Sequence, residues 1–171
     1  LFKFIGYCNR SSSAVTHVDF GTSENKTSKE KAIFLRTNDL SEEILRYTVN
    51  AKTKKGVFAN VTHLREVRDV EWQSDTCILE WGTTGIWPQG AASDDINSVC
   101  TSNTGNIIVS ADDHGHVNLF NYPCTTQGAS PVVGKGHSSH VMNVRFSHAK
   151  GQKAKTEELK IYSVGGNDRA V

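Results

Sequence analysis

Short runs of β-forming residues, broken by polar turns, recur along this chain as a repeating unit, the first longer than the second, and that repeat limits what it can fold into. Asp95-Ile96-Asn97-Ser98-Val99-Cys100 and His140-Val141-Met142-Asn143-Val144-Arg145-Phe146 align as the first strands of two units, with Ile96 and Val141 45 positions apart. An earlier copy is Ala14-Val15-Thr16-His17-Val18-Asp19-Phe20. Each is followed by a second strand (33–37, 107–111, 161–165) and a polar turn (38–41, 112–115, 166–168). A third strand ends in an aromatic at Tyr47 and at Phe120, and the last unit stops before its aromatic arrives. A period of roughly 40–45 residues is the length of one propeller blade. A single four-stranded sheet cannot cover both of its faces, so blades stack around an axis and bury them against one another.

The same alternation of apolar and polar residues predicts strands at 1–7, 14–20, 31–36, 43–49, 56–59, 67–72, 76–81, 96–100, 106–110, 116–122, 141–146 and 160–164. Residues 41–47 also fit one helical turn capped by Ser41. A strand is preferred, because Ile44, Leu45 and Tyr47 lead into Thr48-Val49 without helical periodicity. Polar composition predicts surface loops at 21–30, 50–55 and 148–158.

The expected fold is therefore all-β: a fragment of a WD-repeat β-propeller, about three four-stranded antiparallel blades with the last incomplete. Residues 1–7 are the end of a preceding blade, and 8–66 form a blade with a long loop at 21–30. Residues 67–94 are an atypical connection that includes a blade strand. Residues 95–124 form a second blade, and 125–171 an incomplete third. Open edges and an uncovered face predict that this piece does not fold stably alone. The chain lacks an initiator Met and the layout of a signal peptide, so it is expected to begin inside a longer protein.

Composition narrows the function. Apolar residues at 37% and charged residues at 22% are globular proportions. Nineteen basic against 18 acidic side chains leave no overall basic excess, which argues against nucleic acid as the partner. No run approaches the ~20 apolar residues of a membrane helix. Cys8, Cys77, Cys100 and Cys124 are far apart and form no Cys-x-x-Cys pair, as in a reducing cytosol. Asn25-Lys26-Thr27 and Asn60-Val61-Thr62 match the glycosylation sequon and are read as chance.

The sharpest local signature is Gly136-His137-Ser138-Ser139-His140. In WD repeats a Gly-His pair precedes the first strand. Its His bonds a Ser or Thr on the second strand and an Asp in the following turn, which here predicts a network of His137, Ser163 and Asp168. The second unit has Asp112 and Asp113 in its turn but no Gly-His. The first has Ser41 where the Asp is expected and Ser11-Ser12-Ser13 in place of Gly-His.

From Val67 onward the pattern becomes specific. Arg68-Asp69-Val70-Glu71-Trp72, Thr76-Cys77, Gly85-Ile86-Trp87-Pro88 and the strand from Asp95 to Cys100 resemble the echinoderm microtubule-associated protein-like family. So do Asp112-Asp113-His114-Gly115-His116-Val117-Asn118-Leu119-Phe120, Tyr122-Pro123-Cys124 and Gly136-His137-Ser138-Ser139-His140-Val141. Residues 13–19 and 43–47 look like the preceding blade. Two features depart from the family: the long 21–30 insertion, and Tyr47 where Trp is usual. The resemblance implies the final part of the second of two tandem propellers. It also implies association with tubulin or microtubules in the cytoplasm or a ciliary axoneme, alongside the remainder of the same propeller.

Chemical readings of the same residues are weaker. His114, His116, His137 and His140 invite a metal, but no carboxylate or cysteine completes a ligand set. His137, Ser163 and Asp168 spell a hydrolase triad, but no Gly-x-Ser-x-Gly elbow presents the Ser. Gly134-Lys135-Gly136-His137-Ser138-Ser139 lacks the Gly-Lys-Ser/Thr order of a phosphate loop. Trp72, Trp81 and Trp87 are assigned to the core. No enzyme, cofactor or metal is expected. Lys52, Lys54 and Lys55, with Lys150, Lys153 and Lys155, are the basic loops expected to face an acidic tubulin surface. A general WD-repeat scaffold with another protein partner is the alternative.

Overall fold

The computed structural model describes residues 4, 6–24, 31–50, 58–61, 63–91, 95–147 and 159–171. The chain divides into two compact units, Leu1–Gln73 and Ser74–Val171.

The first unit is one antiparallel sheet. Its strands are β1 (Val15–Glu24), β2 (Lys31–Asp39), β3 (Ile44–Val49), β4 (Phe58–Asn60) and β5 (Glu71–Trp72), in the order β4-β3-β2-β1-β5. Strand β1 runs on to Glu24 and pairs with Lys31 at the start of β2, so the strands reach well into the stretch expected to be loop. Residues 41–47 do not form a helix; β3 occupies their second half. The strand expected at 67–72 shrinks to Glu71–Trp72, preceded by a 3-10 turn at Leu64–Glu66. Phe4, Gly6 and Tyr7 lie outside any strand. The fifth strand replaces a clean four-stranded blade with a sheet whose inner strand is paired on both sides.

One face of this sheet carries an ion pair. Asp19 and Arg36 stand directly opposite each other in the ladder. Arg36 Nε donates to Asp19 Oδ2 at 3.0 Å, its Nη2 lies 3.0 Å from the same oxygen, and both side chains are buried. The guanidinium carbon stacks 4.2 Å from the Trp72 ring centroid, so β5 caps the pair.

The second unit holds two sheets. Strands β6 (Ile96–Thr101), β7 (Ile107–Asp112), β8 (His116–Asn121) and β9 (Val132–Lys135) form a four-stranded antiparallel sheet in sequential order. Strands β10 (Val141–Phe146) and β11 (Ile161–Gly165) form a two-stranded sheet. Strand β9 was not expected. It pairs with β8, so the fourth strand of this blade lies beyond the boundary placed at 124/125. The strand expected at 76–81 is absent; the chain there is irregular and enters a 3-10 helix at Trp81–Ile86.

Apolar residues of alternate strands bury both faces of the four-stranded sheet. One face is filled by Ile96, Val99, Ile108 and Phe120 against Ile78, Ile86 and Cys124 of the irregular segments. On the other, Val109 and Ala111 meet Val141, Val144 and Phe146 of the neighbouring sheet. This second core is a blade-to-blade interface of the kind expected for stacked propeller sheets.

The three first strands share one irregularity. A register shift falls between Val15 and His17, between Ile96 and Ser98, and between Val141 and Asn143. The same backbone bond closes each following turn: Leu40 N to Ala14 O, Asp113 N to Asp95 O and Gly166 N to His140 O, all 2.9–3.0 Å. Val15, Ile96 and Val141 thus hold one structural position, the one at which the sequence repeats align.

Candidate functional site

The structure brings His137, Ser163 and Asp168 together. His137 Nδ1 is 2.9 Å from Asp168 Oδ2, and Nε2 is 2.9 Å from Ser163 Oγ. The Ser138 amide also donates to Asp168 Oδ2, at 3.1 Å, and the Ala170 amide to Oδ1, at 3.1 Å. The Ala170 amide chiefly, with His137 and the Ser138 amide, holds the Asp168 carboxyl below its ordinary value. An ionised carboxylate only accepts, so His137 donates from Nδ1 to Asp168, and its Nε2 shares the second hydrogen bond with the Ser163 hydroxyl. These side chains tie the turn, the entry to β10 and the middle of β11 together.

This arrangement has the connectivity of a hydrolase triad but not its setting. Ser163 sits mid-strand, opposite Val144 in the β10–β11 ladder, and not on a sharp strand-to-helix elbow. A groove of about 490 Å³ opens beside it, walled by Val117, Leu119, Val132 and Ile161.

The turns of the other two sheets use a different device. Asp112 Oδ1 accepts the amides of His114 at 2.9 Å and His116 at 2.8 Å. Asp39 Oδ1 accepts those of Ser41 at 3.0 Å and Glu43 at 3.1 Å. Asp39, and not Ser41, therefore fills the acidic position of the first turn. The signal was legible as a shared spacing, Asp39-x-Ser41-x-Glu43 against Asp112-x-His114-x-His116, hidden by placing the acidic position two residues late, at Ser41. Asp112 Oδ2 is satisfied by Asn118 Nδ2 at 2.9 Å. The buried Asp39 Oδ2 has no hydrogen-bond partner among the described residues.

Trp81 is the clear departure from the expected core. It is 72% exposed at the start of the 3-10 helix, while Trp72 and Trp87 are partly buried. The turn beneath it is tightly held. Thr83 Oγ1 donates within reach of the Ile78 and Glu80 carbonyls, and the Glu80 amide donates back to it at 3.0 Å. Among the described residues no three of His, Cys, Asp and Glu gather as a metal site. His116 Nδ1 lies 3.3 Å from Asp112 Oδ2, and the His114 and His116 rings are 6.4 Å apart. All four cysteines are free, and burial pushes the Cys8 and Cys124 thiols up, away from the reactive thiolate. Lys52, Lys54, Lys55, Lys150, Lys153 and Lys155 lie outside the described residues. No helix among the described residues is long and apolar enough to cross a membrane.

Repeating antiparallel sheets with a common first-strand bulge, the two of the second unit packed face to face and the last pinned by a Gly-His–Ser–Asp network, define a fragment of a WD-type β-propeller. The sequence model described as echinoderm microtubule-associated protein second beta-propeller matches residues 1–171. The chain belongs to this family. It is 38% identical over 167 residues to echinoderm microtubule-associated protein-like 2 of Rattus norvegicus, which covers 98% of the chain and 22% of that relative. It is 35% identical over 98% of its length to the 77 kDa echinoderm microtubule-associated protein of Strongylocentrotus purpuratus, covering 21% of that relative. It is 41% identical over 143 residues, 83% of the chain and 20% of the relative, to echinoderm microtubule-associated protein-like 2 of Mus musculus. The chain thus spans about a fifth of the length of these relatives. No signal in the sequence reading pointed to Ser98, Asn143 and Arg145, which meet between the two sheets of the second unit.

Proposed function

We propose that this chain is a non-enzymatic binding module, part of a propeller that holds its parent protein on microtubules in the cytoplasmic cytoskeleton. The observation that carries the reading is the family match over residues 1–171, together with relatives named as microtubule-associated proteins. The His137–Ser163–Asp168 network serves as a structural tie of the last blade, since its serine is locked in a strand and its histidine is engaged at both nitrogens. The rest of the same propeller is its first partner, and tubulin the second. Lys52, Lys54 and Lys55, or Lys150, Lys153 and Lys155, meet the acidic tubulin surface by screened attraction.

Co-sedimentation of the intact parent protein with taxol-stabilised microtubules tests this. Pelleting that weakens with salt and with charge reversal of either lysine cluster is expected; salt-insensitive pelleting, unchanged by reversal, removes the lysine assignment. Failure to pellet removes the microtubule reading and leaves a general WD-repeat scaffold for another protein. Imaging of the tagged parent separates cytoplasmic microtubules from an axoneme.

A further inference from the structure

We draw no further inference here: the strongest candidate, the surface patch that Trp81 makes at the start of the 3-10 helix of the second unit, is an unpartnered apolar face, and nothing in the structure shows what covers it.

Discussion

Asp19 and Arg36 offer the most demanding test of how the first sheet is held together. The two are a directly opposed cross-strand pair, with side chains 0% and 5% exposed and two nitrogen–oxygen distances of 3.0 Å. At an effective dielectric of ~20, unit charges 3 Å apart attract by about 5 kcal/mol. Desolvation costs several kcal/mol per buried ion, so the pair is near break-even against two apolar residues. Breaking it from one side is different, because the survivor stays buried without its partner, at about 3–5 kcal/mol. Arg36→Met is therefore expected to destabilise β1 and β2 by about 3–5 kcal/mol, plus about 1 kcal/mol for the lost stacking on Trp72. Asp19→Ala is expected to cost about 3–5 kcal/mol. The double variant should lie within about 2 kcal/mol of the wild type, a strongly non-additive cycle. Hydrogen exchange of the intact parent, read on peptides covering Val15–Glu24 and Lys31–Asp39, reports the opening free energy of these strands directly. Additive single costs, with a coupling below about 1 kcal/mol, would refute the reasoning.

Three further outcomes are expected. Val144→Ala removes two carbons from a fully buried position between the blades, and should cost about 2–3 kcal/mol in opening free energy of the β10–β11 sheet by hydrogen exchange. Asp168 has a folded pKa below the ordinary 3.8, so its stabilisation is full above the unfolded value and lost as pH falls through the folded one. Exchange protection around the turn at 166–168 should fall on acidification below that value in the wild type and change little in Asp168→Asn. Gly115 has φ +81°, and a Cβ there would lie 2.7 Å from the His137 carbonyl oxygen, whereas Gly105, at φ +71°, has open space around it. Both alanine variants carry the left-handed backbone penalty of about 1–2 kcal/mol. Only Gly115→Ala adds a clash, so its melting temperature in the parent should drop clearly further; equal drops would show that the His137 loop yields.

The blade repeat was readable because burial imposes it on every first strand. Val15, Ile96 and Val141 are aligned in the sequence and hold the same register, since each begins a strand with the same bulge. The partners of His137 were readable through the likeness to WD repeats, in which the His of a Gly-His pair bonds a Ser or Thr on the second strand and an Asp in the turn. What failed was local. Residues 76–81 are rich in strand formers, yet they are drawn over the face of the four-stranded sheet, where Ile78 and Ile86 fill the core without pairing. Strand β9 is short and carries exposed valines and a glycine, so it has no alternation to betray it; its pairing with β8 makes it a strand. Trp81 was read as core because it ends the strand-like run 76–81, and it is the capped 3-10 helix that turns it outward.

The sequence by itself determined that this chain repeats a β-rich unit, that the second and third units carry an Asp in the turn, and which family the pattern resembles, because these depend on residue type and spacing along the chain. The tertiary structure alone decided which side chain each charged residue meets. Asp19 and Arg36 meet across a ladder within one sheet, while Arg145, on an equally polar strand, reaches Ser98 of the neighbouring sheet. Linear order cannot express that distinction, because it arises where strands 47 residues apart in sequence come within 3.0 Å.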